Sequence, residues 1–353
     1  MNQGVAEAND LLESGRADAA IALLKDRFAS ITEADEAGAR GLLAKALLLT
    51  GRFEEGWEEL ERSSGGADFR IPCHATPPWE GMVDPAGTLL VEVGGDASRS
   101  IQCLRYIPFI AREGMRVVVR CPADLEDLVQ TVEGVASTCR IEEPEPRHTA
   151  WVQLLSLPRL FKTRIDRIPR NVPYIHPPFA GVKSWRGRLD ALGDTIKVGL
   201  RWTTDSPTPN GQDISVPLDR FLGLAGMERV TFVGLEGGVK QEDRDAARQI
   251  GLHDFSPELA DPIVVAALIA NLDLVVSVQS TVLHLAGALG RPAWGLLSSV
   301  PDWCWLLDRA DSPWYPTVRL YRRRVGGQWQ EVVDRMVITL AEAARLAREG
   351  EQP

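Results

Sequence analysis

The sequence is poor in the features that mark secreted, membrane-spanning and metal-binding proteins. Its 353 residues include five cysteines, odd in number and without a CxxC pair, which argues against a disulfide framework or a zinc site. The longest apolar run, 263–270, is far shorter than the roughly 20 residues that cross a bilayer. The chain does not open with a basic region followed by an apolar stretch, so we expect no signal peptide and a cytoplasmic location.

Basic residues are outnumbered, with 39 Lys and Arg against 49 Asp and Glu and a net charge of -10. A surface of this sign is unsuited to general nucleic-acid binding, although an anionic small molecule can still bind where cations or helix N-termini are concentrated. The five histidines show no metal-ligand spacing, so no metal is expected. A GxGxxG motif for nicotinamide cofactors is missing as well, which disfavours a binding module of the dehydrogenase class.

What the sequence does contain is a helical segment followed by two runs of alternating strands and helices. Residues 1–62 have no proline and carry apolar residues at helical spacing. Buried strands are predicted at 88–93, 115–121, 197–202, 229–235, 272–278 and 292–297. Helices are predicted at 100–112 (with Ser100 as its cap), 123–132, 241–250, 262–270, 281–289 and 330–348. Such alternation is typical of parallel sheets covered by helices.

These elements predict an α/β protein with three parts. They are a helical segment over 1–62, a first Rossmann-like domain over 63–185 and a second over 186–353. Residues 144–193 are rich in proline and are interpreted as irregular, with the crossing between the domains near 181–194.

The helical segment contains a weak repeat. LLESGR at 11–16 returns as LLLTGR at 47–52, a shift of 36 residues. A period of about 34 with a glycine turn between helices is typical of tetratricopeptide repeats, which need about three units to stand alone. We therefore expect the two units to pack on the rest of the protein.

Ligands of open parallel sheets bind at the carboxyl ends of strands, so the loops after the predicted strands are the candidate sites. The clearest follows 272–278, where Ser280 can cap a helix that starts at Thr281 and suits phosphate. His284 is close enough to reach a phosphate or a ribose hydroxyl, and Gly287 allows another backbone to approach. An ordinary capped crossover helix with a core histidine is an equally good interpretation.

Three further loops carry polar candidates. After 88–93 these are Asp96 and Arg99, whose plain alternative is an acidic turn residue beside a solvent-exposed arginine. After 197–202 the loop 203–211 is polar, and Arg201 precedes it as a cation for an anionic ligand. After 229–235 the residues Glu236-Gly237-Gly238 can turn backbone N–H groups toward a ligand.

Beyond these patterns, the sequence resembles a known family over nearly its whole length. The matching stretches are LLLTGRFEEGWEELE (47–61), IQCLRYIPFIAREGMRVVVRC (101–121), LLSLPRLF (154–161), VGLRW (198–202), SVQSTVLHLAGALGRPAWGLL (277–297) and PDWCWLLDRADSPWYPTVRLYR (301–322). They resemble bacterial tetratricopeptide-repeat proteins whose glycosyltransferase domain is similar to the ADP-heptose:lipopolysaccharide heptosyltransferases, of GT-B fold.

The resemblance implies a GT-B fold, in which two Rossmann-like domains face a cleft, with the acceptor domain first and the nucleotide-sugar donor domain second. It implies transfer of a sugar from a nucleotide sugar to a glycan or protein acceptor without a metal ion or another cofactor. A carboxylate in the first loop would deprotonate the acceptor, while cations and a helix N-terminus would stabilise the leaving diphosphate. The donor-side positions are Arg201, Trp202, Glu236, Gln279, Ser280, Thr281, His284 and Gly287. The helical segment would offer a surface to a protein partner.

The sequence departs from the family at several polar positions. The place of the usual catalytic Asp is Arg99, and the family's Asp-Thr is Gln279-Ser280. Asp213 stands in a loop where the family has basic residues, and Cys304 replaces an arginine between two tryptophans.

Two hypotheses follow from these departures. In the first, the protein is an active glycosyltransferase in which Asp96 or Asp205 is the base and Arg99 and Arg201 are cations. In the second, it is a pseudo-enzyme that binds a protein partner or a nucleotide sugar and transfers nothing.

Overall fold

The computed structural model describes residues 3–63, 74–204 and 214–349. The chain divides into two compact units, one comprising 1–176 with 300–309 and the other 177–299 with 310–353. The helical segment shares a unit with the α/β part that follows it. The helix Phe179–Asp190 lies in the second unit, where it packs on the helix Pro262–Ile269.

The predicted helical segment is confirmed. Its helices in the described residues are α1 (Gln3–Glu13), α2 (Ala17–Arg27), α3 (Glu33–Leu49) and α4 (Phe53–Arg62). Gly15 and Gly51 turn the chain between paired helices with φ of 76° and 79°, a conformation that favours glycine. The indole Nε1 of Trp57 donates to the Thr163 carbonyl at 3.2 Å, so the segment packs on the α/β part as expected.

The first unit contains a parallel sheet of order β3-β2-β1-β4. Its strands are β1 (Thr88–Glu92), β2 (Arg116–Cys121), β3 (Val135–Arg140) and β4 (Ala150–Gln153). The helices around it are α5 (Ala97–Cys103), α6 (Ile107–Arg112), α7 (Glu126–Gln130) and α8 (Leu157–Leu160). The prediction of a helix capped by Ser100 is wrong, because α5 begins earlier, at Ala97, and its N-cap is Asp96.

The second unit is built on a six-stranded parallel sheet of order β10-β9-β8-β5-β6-β7. Its strands are β5 (Ile196–Arg201), β6 (Val230–Gly234), β7 (His253–Asp254), β8 (Leu274–Val278), β9 (Ala293–Leu297) and β10 (Val318–Arg322). The helices are α9 (Phe179–Asp190), α10 (Arg244–Ile250), α11 (Pro262–Ile269), α12 (Thr281–Ala288) and α13 (Trp329–Glu349). The irregular stretch predicted over 144–193 is wrong, because β4, α8 and α9 lie within it.

The order of the second sheet reverses between β5 and β8. From β5 the chain adds β6 and β7 on one side and then β8, β9 and β10 on the other. The buried core of this unit includes Val198, Phe232 and Val276 from the sheet and Met336 from α13. Such a reversal leaves a crevice at the carboxyl ends of the two central strands, the usual ligand position in open α/β sheets. Among the helices of the described residues, none combines the length and the apolar content that a bilayer crossing requires.

Candidate functional site

The predicted donor-side loops are brought together at one edge of the second sheet. Strands β8, β5 and β6 are neighbours and parallel, so their carboxyl ends meet at the same edge. Arg201 ends β5, in register with Ser277 of β8, and Glu236 follows β6. The reversal point between β5 and β8 therefore carries the loops that the sequence singled out.

Arg201 and Glu236 are joined directly. The guanidinium Nη1 of Arg201 lies 3.0 Å from Oε2 of Glu236, and the side chains are only 13% and 6% exposed. Glu236 also accepts from the backbone N–H of Trp202 at 2.9 Å and from both the N–H and the hydroxyl of Thr203. Arg201 donates to the carbonyls of Thr203 and Leu235 at 3.0 and 3.2 Å. The pair predicted to contact the donor thus fixes the backbone of Trp202 and Thr203, directly after β5.

The side chain of Trp202 holds the end of β5 in place. Its side chain is buried in the core of the second unit, and its Nε1 donates to Oδ2 of Asp243 at 2.9 Å. Asp243 also accepts from the backbone N–H of Leu218 at 3.4 Å. In this arrangement the indole anchors the end of β5. The neighbouring Asp205 and Asp213 lie outside the described residues.

The turn after β8 differs in one respect from its prediction. Helix α12 does begin at Thr281 with Ser280 as N-cap, but the Ser280 side chain makes no capping hydrogen bond. Its hydroxyl lies 2.8 Å from the hydroxyl of Ser277, which itself donates to the Val278 carbonyl. Gln279 and Thr281 are the half-buried residues of this turn and Ser280 is buried. The positive end of the α12 dipole is therefore flanked by Gln279 and Thr281.

His284 and Gly287 share a partner that the sequence did not reveal. His284 is 3% exposed, and its Nδ1 lies 3.0 Å from the hydroxyl of the buried Tyr315. A Cβ at Gly287 would lie 2.4 Å from Cδ1 and Cγ of that ring. The close neighbour of Gly287 is thus an aromatic ring and not another backbone. Tyr315 lies in the most specific stretch of the family resemblance, but only the fold places it beside His284.

In the first unit, Asp96 and Arg99 have structural partners. Oδ1 of Asp96 accepts from the backbone N–H groups of Ser98 and Arg99 at 2.9 and 3.2 Å, which makes this carboxylate the cap of α5. Arg99 is not the solvent-exposed arginine of the plain interpretation, because its side chain is 27% exposed and its Nη2 lies 3.3 Å from Oδ2 of Asp302. Asp302 was not singled out in the sequence, since it is distant along the chain.

Cys304 occupies the position where the resemblance led us to expect an arginine. It is buried, and desolvation raises the pKa of its thiol well above the ordinary value, a direction that Asp302 reinforces. The thiol is therefore neutral at physiological pH, so it supplies neither the charge nor the donors of a guanidinium.

A pocket of about 490 Å³ lies in the first unit, beside β4 and the end of α4. Its lining includes the indoles of Trp79 and Trp151 and the ion pair of Glu61 with Arg159. Within the described residues, none of those predicted as catalytic or donor-binding is among its lining residues. Aromatic residues beside the paired Glu61 and Arg159 and the carboxylate of Glu80 suit an uncharged group better than a diphosphate.

A cluster of potential metal ligands also lies in the first unit. Ligand atoms of His74, Glu145 and His148 lie within 4.8 Å of one another. The spacing of the histidines in the sequence gave no indication of this arrangement. His74 and His148 are too far apart in the chain for spacing to reveal the cluster.

No protein-family model matches the chain. Protein FlbA of Caulobacter vibrioides is 25% identical over 326 residues, which cover 85% of this chain and 54% of FlbA. The chain thus spans about half the length of this curated relative.

Two solved structures share the fold. A glycosyl transferase family 9 protein from Veillonella parvula aligns with a TM-score of 0.56 and 13% identity, covering 76% of this chain and 100% of that one. ADP-heptose lps heptosyltransferase II of E. coli aligns with a TM-score of 0.51 and 15% identity, covering 74% and 99%. The heptosyltransferase-like fold of the GT-B class, with two parallel α/β sheets and an N-terminal helical segment, is therefore confirmed.

Proposed function

We propose that this chain is a glycosyltransferase that binds a nucleotide sugar at the carboxyl edge of its second sheet and transfers the sugar without a metal ion. The observation that carries the proposal is the junction of β5 and β8. There the buried Arg201–Glu236 pair holds the end of β5, which lies beside the strand that leads into the N-terminus of α12. The fold shared with a family 9 glycosyltransferase and a heptosyltransferase supports it.

The proposed reaction breaks the bond between the anomeric carbon of the sugar and the diphosphate oxygen, and the acceptor oxygen forms the new bond to that carbon. The nucleoside diphosphate leaves with the bonding electron pair. The dipole of α12 stabilises the negative charge that develops on it. Gln279 and Thr281 flank the phosphates, and His284 is positioned by Tyr315. Asp96 takes the proton of the acceptor hydroxyl, since the caps occupy Oδ1 and the carboxylate has a second oxygen.

Calorimetric titration against a panel of nucleotides and nucleotide sugars tests this site, with Thr281→Glu as the diagnostic variant. A glutamate in the first turn of a helix is compatible with the helix dipole, but it repels a diphosphate. We expect wild-type protein to bind at least one nucleotide sugar and Thr281→Glu to lose this binding while remaining folded. Phe179→Glu, in the first turn of the exposed start of α9, is the matched control and should bind normally. Failure of wild-type protein to bind any panel member contradicts the proposal.

A second candidate function is binding without transfer. It is favoured by one observation, namely that Arg99 stands at the position of the expected base and is paired with Asp302. Product analysis with each nucleotide sugar that binds separates the two functions. Turnover by wild-type protein supports the transferase. Binding without turnover, together with activity gained in Arg99→Asp combined with Asp302→Asn, supports the pseudo-enzyme.

The finer assignments are also proposals. Helices α1–α4 would be tetratricopeptide-like hairpins that contact a protein partner, the acceptor would be a glycan or a protein, and the protein would act in the cytoplasm. Because the chain spans about half of FlbA, these proposals concern the chain described here.

A further inference from the structure

We propose that His74, His148 and Glu145 bind one divalent transition-metal ion, for which Zn²⁺ is the best chemical match. The ion would have a structural role in the first unit and would be separate from the sugar transfer. This inference does not depend on the proposed function.

The ligand atoms converge on one point of the first unit. Nδ1 of His74 lies 2.9 Å from Oε2 of Glu145, and Nε2 of His148 lies 3.3 Å from Oε1 of the same carboxylate. The two imidazole side chains are only 1% and 4% exposed, whereas Glu145 is 35% exposed. Two buried rings therefore share one carboxylate that reaches solvent.

The proton positions on His148 leave a lone pair at the centre of the cluster. Nδ1 of His148 lies 2.9 Å from the Pro146 carbonyl, which can only accept, so this nitrogen carries the hydrogen. In a neutral ring Nε2 then has a lone pair. Among the residues that the structure describes, this buried nitrogen has no hydrogen-bond partner, and the nearby Glu145 oxygen is itself an acceptor. Two electron-rich atoms thus face each other, and a cation between them would satisfy both.

His74 also faces more hydrogen-bond acceptors than it has hydrogens to donate. Nδ1 faces Glu145, and the buried Nε2 lies 3.5 Å from Oε1 of Glu92 without forming a hydrogen bond. A neutral imidazole has one hydrogen for these two carboxylates. With the hydrogen on Nε2, Nδ1 presents a lone pair toward Glu145. A carboxylate beside the second nitrogen of a ligating histidine is a common arrangement around protein metals.

Glu92 is better placed as this outer carboxylate than as a ligand. Its Oε1 lies 3.3 Å from Nη1 of Arg120, so its charge is already balanced. The inner set is then two imidazole nitrogens and one carboxylate. Mg²⁺ and Ca²⁺ prefer oxygen ligands, whereas two imidazoles with a carboxylate are typical of zinc sites. Tetrahedral zinc with bonds of 2.0–2.2 Å holds its ligand atoms about 3.3 Å apart, so a small inward shift of the side chains suffices.

The position of the cluster suggests what the ion would do. His74 lies a few residues before Pro78 and Trp79, which run beside the edge strand β4, and the Trp79 N–H donates to the Trp151 carbonyl at 2.7 Å. Glu145 and His148 lie in the loop that leads into β4. An ion shared by these two segments would join two positions that are distant in the chain and hold the stretch against the sheet edge.

Zinc binding to the full chain without a His tag tests the proposal directly. The chain is stripped with a chelator, and its affinity is measured in competition with a coloured zinc indicator. Elemental analysis gives the stoichiometry. We expect one zinc per wild-type chain and affinity at least about 100-fold weaker in His148→Gln and in the double variant His74→Gln/His148→Gln. His176→Gln, at an exposed histidine of the same unit, should bind like wild type.

Thermal unfolding of the wild-type protein tests the proposal without any variant. Stripped wild-type protein should unfold at a lower temperature and recover with one equivalent of Zn²⁺ but not with Mg²⁺. The absorption bands of Co²⁺ in place of zinc should report tetrahedral nitrogen and oxygen ligands. The proposal is overturned if wild-type protein shows no stoichiometric zinc and no thermal shift. It is equally overturned if the double variant retains wild-type affinity.

Discussion

Arg201 and Glu236 form a buried ion pair, 3.0 Å apart, that links the end of β5 to the loop after β6. The carboxylate also holds the backbone N–H groups of Trp202 and Thr203. Both charges are balanced within the protein, so the backbone of Trp202 and Thr203 at the end of β5 is held before any ligand arrives. Pre-organisation of this kind reduces the conformational entropy that the protein loses when a ligand binds.

The first prediction concerns this pair. Glu236→Ala leaves the Arg201 guanidinium buried without its carboxylate, which typically costs about 3–5 kcal/mol of unfolding free energy. We expect that loss in urea denaturation, together with loss of nucleotide-sugar binding. Glu228→Ala, at an exposed glutamate of the same unit, should change stability by less than about 0.5 kcal/mol. Equal effects of the two substitutions would show that the pair contributes nothing.

The second prediction concerns Gly287. An alanine here would place its Cβ 2.4 Å from the ring of Tyr315. Overpacking of this kind costs about 1–3 kcal/mol, and it would move the tyrosine hydroxyl away from His284. Gly187→Ala in α9 is the control, since a Cβ there would meet no atom of the described residues within 4 Å beyond its chain neighbours and the nearby backbone of its own helix. Denaturation curves should show destabilisation at Gly287 and a neutral or stabilising effect, up to about 1 kcal/mol, at Gly187.

The third prediction separates the two roles of Asp96. Asparagine caps helices as well as aspartate but cannot take a proton, so Asp96→Asn should preserve stability and lower transfer by about 10²–10⁴-fold. Asp96→Ala removes the cap as well and should cost about 1 kcal/mol. If Asp96→Asn transfers at the wild-type rate, the carboxylate is a cap alone, and the proposed base is wrong.

The fourth prediction concerns alkaline pH. Burial raises the pKa of Cys103 to about 12 from an ordinary value of 9.0. The unfolded state releases this proton near pH 9 while the folded state keeps it, so unfolding becomes easier as pH rises toward 12. Each such group adds a slope of about 1.4 kcal/mol per pH unit over this window. The unfolding free energy of Cys103→Ala should therefore fall less steeply than that of wild type between pH 9 and 11. Parallel slopes would contradict the assignment.

The sequence predicted the central strands and missed the edges. Strands β1, β2, β5, β6, β8 and β9 were found because buried strands read as continuous apolar runs. The missed strands β3, β4, β7 and β10 are the four sheet edges, where one side lacks a neighbour. In β3 only Cys139 is buried, and both residues of β7 are exposed. Mixed polarity of this kind gives no periodic signal.

The sequence predicted where the candidate site lies, but it did not predict which of its residues contact each other. Strand-end loops identified Arg201, Glu236 and the start of α12, because parallel strands bring their ends together. That Arg201 pairs with Glu236, and His284 with Tyr315, could not be read from spacing, since each partner comes from another element. Helix α9 was read as a linker because its two glycines, Gly181 and Gly187, resemble a loop.

The return of residues 300–309 to the first unit has a consequence for synthesis of the protein. The ring of Trp303 stands 5.0 Å from that of Trp57, edge to face. When residue 176 leaves the ribosome, this tryptophan has not yet been made. At about 5–20 residues per second, the helical segment waits on the order of ten seconds for its last packing partner. The first unit therefore cannot complete its core until most of the second unit has been translated. Its folding is completed only late in synthesis of the chain.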